Sequence, residues 1–310
     1  MLHVYRVMIE NFLSQGGISL DRLKSFCLVA EKGGISRACN GDPSRQALIS
    51  RQIKELEVFF GTELIRRKGK GIELTAAGVE LARQVHLQFR GMSDFKAACS
   101  ALPIDFRIAA GNSILEWLLV PCMPRIAEYV SACTYELLDW RTGDIVRGLL
   151  DHTVDFGIVR KSAITKPLKF HPLGRFGYSL FVPKQLTTKK QTVSDLPLAI
   201  SVGGEFLRDF QAATIKAGFQ PNIVYRCTSF TQAAHLARLG VAAAVLPDIA
   251  GSTVASFAPP VSVPWLKSFH RDLGVGWHAR LVEIRPRAGE LLDVLQSLLK
   301  EPFMAETRKS

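Results

Sequence analysis

The stretch from Pro43 to Glu57, PSRQALISRQIKELE, concentrates polar and basic side chains at the start of a predicted helix. When a helix enters the major groove, Gln pairs with adenine N6 and N7, and Arg pairs with guanine O6 and N7. Hydroxyl groups and backbone amides at a helix start suit phosphates. The candidate contacts are Ser44, Arg45, Gln46, Ser50 and Arg51. A solvated polar helix face is the alternative explanation for one basic helix alone.

The elements around this stretch are predicted to hold its polar end outward. Residues 20–31 form one helix and 35–40 a short second piece, and Asp42 followed by Pro43 gives a cap and a proline at the first helical position of the third. Helical spacing places four apolar residues on one face, namely Ile49, Ile53, Leu56 and Phe60. The opposite face carries Ala47, Arg51, Lys54 and Val58, and Ser44 and Arg45 occupy the exposed tip.

A basic hairpin and a long helix follow the third helix. The segments ELIRR and IELT flank a basic, glycine-rich tip, 68–71, which predicts a two-stranded wing. Seven Lys/Arg against three acids between Arg45 and Gly71 give a local charge of +4, within a chain of 310 residues and formal charge +11. From Ala76 to about Ser100 one apolar stripe predicts a helix that pairs with another helix, through Leu81, Val85, Phe89, Met92, Phe95 and Cys99.

Beyond Pro103 short apolar runs alternate with amphipathic ones, which is typical of α/β domains with a mostly parallel sheet and ligands beyond the strand C-termini. No nucleophile elbow, phosphate loop or paired-histidine spacing occurs, and the six cysteines form no C-x-x-C pair, so neither a metal nor a cofactor is predicted. The G-x-G-x-x-A run at Gly274–Ala279 comes too late for a dinucleotide site and is interpreted as a plain strand with close backbone packing.

Residues 20–78 resemble the winged helix-turn-helix of the LysR-type transcriptional regulators. The resemblance is carried by S-R-Q-I-x-x-L-E at Ser50–Glu57, by Gly61, by Leu64 with Arg67, and by L-T-x-A-G ending at Gly78. It implies an α/β protein with an α-rich winged helix-turn-helix at its N-terminus and a C-terminal effector domain of two subdomains resembling periplasmic binding proteins. The expected boundaries are an extension at 1–19, the DNA-binding domain at 20–75, a dimerising linker helix at 76–102 and the effector domain at 103–310.

The resemblance also implies site residues. In the family, DNA contacts come from the start of the recognition helix, here Arg45, Gln46, Ala47, Ser50 and Arg51, and from the wing, here Lys70. The co-inducer typically sits between the subdomains, where the matching positions are Asn112, Ser113, Ser201, Val202, Gly203, Thr228 and Ser229. The phrase LGVAAAVLP at Leu239–Pro247 supports this alignment. The hydroxyl residues have a competing role as helix caps, which is compatible with anion binding.

Some positions depart from the family pattern. Gly34 stands where a serine normally caps the second helix, Asp42-Pro43 replaces the usual leucine-containing turn, and Ala47 stands where proline is common. These departures leave the fold intact but make the family's operator preference hard to transfer.

The function expected from these patterns is a sequence-specific DNA-binding regulator, not an enzyme, that acts as a homodimer or homotetramer under control of a small, possibly anionic effector. No apolar run reaches membrane-spanning length and no cleavage site follows the start, so a cytoplasmic location is expected. The rival is an α/β enzyme or small-molecule-binding protein whose N-terminal helices only oligomerise.

Overall fold

The structure, a computed structural model, describes residues 16–69, 71–187, 193–266 and 269–307. Most of the N-terminal extension and Lys70 therefore lie outside the described residues. The chain divides into two compact units, one ending at Phe95 and the other starting at Lys96. Among the described helices, none is both long and apolar enough to span a membrane.

The first unit contains three helices and a hairpin in the predicted order. They are α1 (Leu20–Lys32), α2 (Ile35–Ala38), α3 (Pro43–Phe60), β1 (Ile65–Lys68) and β2 (Gly71–Leu74), followed by α4 (Ala76–Cys99). Strands β1 and β2 pair antiparallel, with Ile65 opposite Leu74. Gly33 and Gly61 end α1 and α3 in the left-handed conformation, which glycine adopts without steric cost.

The core of this unit confirms the helical periodicity predicted for α3. Ile49, Ile53 and Leu56 are buried, and Phe60 packs against them partly exposed. The same cluster receives Phe26 and Val29 from α1 and Leu64 from the start of the hairpin. Because the apolar stripe of α3 is committed to this core, the opposite face of the helix is left at the surface.

The predicted apolar stripe of α4 is buried only in part. Val85 is enclosed, whereas Met92 is 47% and Phe95 74% exposed. The helix begins at the predicted cap, since the Gly78 amide donates to Thr75 Oγ1 at 3.0 Å. The lack of a side chain at Gly78 lets the start of α4 lie close to the Leu64 carbonyl oxygen, because a Cβ at position 78 would be only 2.0 Å from that oxygen.

The second unit contains two five-stranded sheets. Sheet 1 has the order β4-β3-β5-β12-β6, with β3 (Ile104–Ala110), β4 (Cys133–Asp139), β5 (Phe156–Arg160), β6 (Leu168–Phe176) and β12 (Arg271–His278). Sheet 2 has the order β11-β7-β10-β8-β9, with β7 (Tyr178–Phe181), β8 (Leu198–Ser201), β9 (Ile223–Cys227), β10 (Ala243–Pro247) and β11 (Pro260–Val261).

Helices connect and cover these strands. They are α5 (Asn112–Ile114), which continues through a π-helical turn at Leu115–Leu119 into α6 (Val120–Tyr129), then α7 (Thr142–Leu150), α8 (Gly204–Lys216), α9 (Phe230–Arg238), α10 (Gly251–Val254), α11 (Leu281–Ile284), α12 (Pro286–Leu298) and α13 (Glu301–Thr307).

The expectation of a mostly parallel sheet needs correction, because both sheets are mixed. Strands β3, β4 and β5 run parallel, as do β8, β9 and β10, but β12 and β6 join sheet 1 antiparallel and β7 and β11 join sheet 2 antiparallel. Pro172 and Gly174 interrupt the alternating pattern of β6, which hid this strand from the sequence. The strand interpretation of Gly274–Ala279 is correct over most of its length, since β12 covers Gly274 to His278.

A buried ion pair ties sheet 1 to the C-terminal helices. Arg285 Nη1 lies 2.6 Å from Asp155 Oδ1, and both side chains are at most 2% exposed. Arg285 also donates to the Asp105 carbonyl at 2.7 Å, and Asp155 accepts from the Arg107 amide at 2.8 Å. The bond between Arg285 and Asp155 joins segments 130 residues apart.

Candidate DNA-binding helix and effector cleft

The start of α3 is built by its cap. Asp42 Oδ1 accepts from the Ser44 amide at 2.9 Å and from the Arg45 amide at 3.3 Å, and Pro43 occupies the first turn. A carboxylate at this position satisfies orphan amides and interacts favourably with the positive end of the helix. The local sequence thus orders the turn that carries the polar side chains.

The predicted DNA contacts that the structure describes form one surface. Ser44, Arg45, Ala47, Ser50, Arg51 and Lys54 are exposed, and Gln46 is half-buried. Gln46 Nε2 lies 3.4 Å from Ser36 Oγ on α2. A carboxamide nitrogen carries two N–H groups, so this contact orients Gln46 while leaving one N–H and Oε1 for a base edge.

A network that the sequence did not reveal orients Arg51. Glu55 Oε1 accepts from Arg51 Nε at 2.9 Å, and Glu55 Oε2 accepts from Arg22 Nε on α1. Hydrogen bonds from Arg22 and then Arg51 hold the pKa of Glu55 below its usual value. Because Glu55 engages only Nε and the Arg51 side chain is 80% exposed, both Nη groups of Arg51 remain at the surface.

Two carboxylates contact the wing: Glu57 joins it to α3, and Glu73 pairs with two of its basic side chains. Glu57 Oε1 accepts from the Leu64 and Ile65 amides at 2.9 and 3.3 Å, which joins the end of α3 to β1. Glu73 pairs with Lys68 and Arg66 at 2.8 and 3.1 Å. Among the residues that the structure describes, exposed Arg67 has no ion pair.

The second unit contains a cleft of about 910 Å³ lined from both sheets. It lies where β3, β4 and β5 end and where β8 and β9 end, as expected for ligand sites at strand C-termini. Six of the seven predicted effector positions line it, namely Asn112, Ser113, Ser201, Gly203, Thr228 and Ser229. Val202 does not, and its amide donates to the Cys227 carbonyl at 2.8 Å.

A hydrogen bond crosses this cleft from α9, which follows β9 of sheet 2, to α5, which follows β3 of sheet 1. Thr231 Oγ1 donates to Asn112 Oδ1 at 2.7 Å, and Asn112 Nδ2 donates to Asp139 Oδ2 at 3.2 Å. Ser229 caps α9 by accepting from the Gln232 amide at 3.2 Å. The cap role proposed for the hydroxyl residues is thus correct for Ser229.

Several lining residues were missed at the sequence level. They are chiefly Asp139, Arg141, Arg160, Tyr178, Phe206, Phe230, Thr231 and Arg271. Asp139 ends β4, Arg141 follows two residues later, and Arg160 ends β5. The strand-end rule that selected Asn112 and Ser201 would have selected these three as well. Tyr178 and Arg271 start antiparallel strands, so their position depends on a pairing that the sequence did not predict.

Two family models match the chain over most of its length. The model described as "Bacterial regulatory helix-turn-helix protein, lysR family" matches residues 20–79, and "LysR substrate binding domain" matches residues 105–300. The chain belongs to the LysR family. It is a transcriptional regulator with a helix-turn-helix DNA-binding domain and a substrate-binding domain.

Relatives and solved structures agree with membership of the LysR family. A probable hydrogen peroxide-inducible genes activator of Mycobacterium avium is 25% identical over 247 residues, which cover 76% of this chain and 79% of the relative. The structure of full-length LysG of Corynebacterium glutamicum with bound effector Arg is 15% identical with a TM-score of 0.62, covering 92% of this chain and 99% of that one. CbnR in complex with its target DNA is 19% identical with a TM-score of 0.51, covering 91% and 100%. At these identities the structural likeness shows the LysR fold.

Proposed function

We propose that this LysR-family regulator contacts its operator through the polar end of α3 and the wing. The contacts are Ser44, Arg45, Gln46, Ala47, Ser50, Arg51 and Lys54, together with Lys70, which lies outside the described residues. The observation that carries the proposal is the exposed start of α3, which Asp42 caps. On this surface Glu55 orients Arg51 and Ser36 orients Gln46. The related CbnR has been solved bound to its target DNA, which supports the same use of the domain here.

The chain acts as a homodimer or homotetramer whose linker helix, residues 76–102, pairs with that of a second copy. Support comes from Met92 and Phe95, large apolar side chains that α4 leaves exposed. Pairing of such a stripe between two copies would bury it and bring two recognition helices to one operator. The other segments of the chain are an extension at 1–19, the DNA-binding domain at 20–75 and the effector domain at 103–310.

A small molecule bound in the cleft controls DNA binding, through Asn112, Ser113, Ser201, Gly203, Thr228 and Ser229. An anionic effector is favoured because three arginines and one aspartate line the cleft. LysG was solved with its effector Arg, so a relative of this fold binds a small molecule. The protein performs no catalysis and works in the cytoplasm, where its DNA is.

The test is DNA binding by the full-length protein to the region upstream of its own gene, measured by gel shift and fluorescence anisotropy at several salt concentrations. The logarithm of the association constant should fall with the logarithm of salt concentration by about 0.9 per phosphate neutralised. Arg51→Ala and Lys70→Ala should each weaken binding, whereas Arg238→Ala, an exposed arginine on α9, serves as the control. No shift at low salt would refute the proposal.

Base recognition by Gln46 is tested separately. Gln46→Ala should reduce affinity for the operator by about 5- to 150-fold, the loss expected for a bidentate contact worth about 1–3 kcal/mol, with little change on random DNA. Equal losses on the two DNAs would show that Gln46 does not recognise a base.

A further inference from the structure

Two hydroxyl residues that line the cleft are largely buried and have no hydrogen-bond partner among the residues that the structure describes. Tyr178 and Ser201 are 9% and 3% exposed, both line the cleft, and neither forms a hydrogen bond within the described residues. The one fully enclosed, unbonded side-chain oxygen of those residues is Gln52 Oε1. The hydroxyls of Tyr178 and Ser201 therefore still reach open space, and the space beside them is the cleft. A ligand acceptor placed in the cleft beside such a hydroxyl gains a hydrogen bond from it.

The two hydroxyl residues stand at the same edge of sheet 2. Tyr178 begins β7 opposite Pro247, the last residue of β10, and Ser201 ends β8, which runs parallel to β10. Strands β7 and β8 flank β10, so their backbones are about 10 Å apart. Burial raises the pKa of Tyr178 to about 12, so its hydroxyl stays protonated and donates at neutral pH. Because the register places Tyr178 level with Pro247 and Ser201 level with Leu246, the two side chains leave opposite faces of the sheet, and a ligand oxygen beside Tyr178 would accept from that hydroxyl alone.

Aromatic rings form the wall of the cleft beside Tyr178. Its ring centroid lies 5.1 Å from that of Phe206 and 5.9 Å from that of Phe230, and Phe206 and Phe230 meet edge to face at 4.8 Å. All three line the cleft, and Phe269 stacks behind Tyr178 at 4.7 Å. A wall of this kind favours a flat apolar ligand, because offset and edge-on ring contacts add to the burial of apolar area.

The positive charge that can pair with a ligand lies on the sheet 1 side of the cleft. Arg271 is already paired with Asp209 on α8. Arg141 follows β4, is exposed, and has no ion pair among the residues that the structure describes. A guanidinium group matches a carboxylate through two parallel hydrogen bonds. Arg141 is thus a cation that can pair with a ligand without displacing an ion-pair partner among the described residues.

We propose, on the basis of the function proposed above, that the effector is an aromatic carboxylate with a polar oxygen at the far end of its ring system. The ring lies against Tyr178, Phe206 and Phe230, the carboxylate binds Arg141, and the distal oxygen accepts from the Tyr178 hydroxyl. An effector of this shape contacts both sheets at once, so its binding favours the arrangement in which the cleft is closed around it.

The test measures binding of four probes to the full-length protein by isothermal titration calorimetry. They are 6-hydroxy-2-naphthoate, 2-naphthoate without the distal hydroxyl, the uncharged 6-hydroxy-2-naphthamide, and 6-hydroxyhexanoate, which keeps both polar ends without a ring. 6-Hydroxy-2-naphthoate should bind most tightly, with each of the other three at least about 5-fold weaker, because each lacks one contact. No binding of 6-hydroxy-2-naphthoate would overturn the ligand class.

Substitutions of Tyr178 and Arg141 test the proposed contacts with the ligand one at a time. Tyr178→Phe should weaken 6-hydroxy-2-naphthoate by about 3- to 10-fold and leave 2-naphthoate unchanged, since only the first has an oxygen for the lost hydroxyl. Arg141→Gln should weaken both acids by about 10-fold or more and leave the amide unchanged. Tyr225→Phe on β9 and Arg238→Gln on α9 are controls outside the cleft lining. Equal losses for both acids in Tyr178→Phe would show that its hydroxyl does not contact the ligand.

Failure of this inference is separable from failure of the proposed function. Gel shifts on the upstream DNA without any probe report DNA binding alone. Intact DNA binding with no affinity for the aromatic acids would overturn the ligand class and leave the regulator assignment in place. Loss of DNA binding in the wild-type protein would refute the proposed function whatever the probes do.

Discussion

Asp42 allows the contribution of helix capping to DNA binding to be separated from that of charge. Its carboxylate accepts two amide hydrogen bonds at the start of α3, in the turn that carries Ser44, Arg45 and Gln46. Asp42→Ala removes both acceptors, whereas Asp42→Asn keeps an acceptor oxygen and removes only the negative charge. Asn is as good an N-cap as Asp, so the two variants differ in capping and share the loss of charge.

The expected loss of stability and of DNA affinity in Asp42→Ala follows from the loss of the helix cap. Losing it costs about 1 kcal/mol, within a range of about 0.5–2, and destabilises the first turn by up to that amount in each protomer. A dimer that must order two such turns on DNA loses up to about 2 kcal/mol, or about 30-fold in Kd. Asp42→Asn should bind DNA as tightly as wild type or more tightly, because it removes a negative charge from the surface that is proposed to contact phosphates.

Urea denaturation and fluorescence anisotropy on the upstream DNA check both halves of this prediction. Asp42→Ala should lower the free energy of unfolding and weaken DNA binding, and Asp42→Asn should do neither. Equal weakening of DNA binding by the two variants would show that the charge matters and the cap does not. Unchanged DNA binding in Asp42→Ala would show that the first turn of α3 is not a contact.

Two further variants and one control variant test the second unit. Asp155→Asn leaves the buried Arg285 without its charged partner and should lower the free energy of unfolding in urea by about 3 kcal/mol or more. The exposed Asp144→Asn on α7 should cost less than about 0.5 kcal/mol, and similar costs for the two would contradict the burial argument. Asp248 accepts from Ser179 Oγ at 2.7 Å, and burial raises the pKa of its carboxyl. The favourable contribution of Asp248 to the free energy of unfolding is therefore present below its ordinary pKa of 3.8 and is lost as pH rises through the raised pKa. Urea midpoints from pH 4 to 7 should therefore fall less for Asp248→Asn than for wild type, and parallel curves would refute this.

Local patterns predicted most of the first unit. Helical spacing identified Ile49, Ile53 and Leu56 as the buried face of α3, and Asp42-Pro43 located its start. Each of these signals acts within one or two turns, where periodicity and capping operate whatever the rest of the fold does. The network that orients Arg51 escaped prediction because Arg22 is 33 residues from Glu55.

By itself the sequence determined the family, the order of elements in the first unit and the polar face of α3, because those depend on motif spacing and on contacts between near neighbours in the chain. Only the tertiary structure decided the composition of the cleft. Asn112 and Thr231 meet across 119 residues, and Tyr178 reaches the cleft through antiparallel pairing that no local pattern specified. Strand pairing brings distant residues to one sheet edge, and its register depends on the packing of the whole domain.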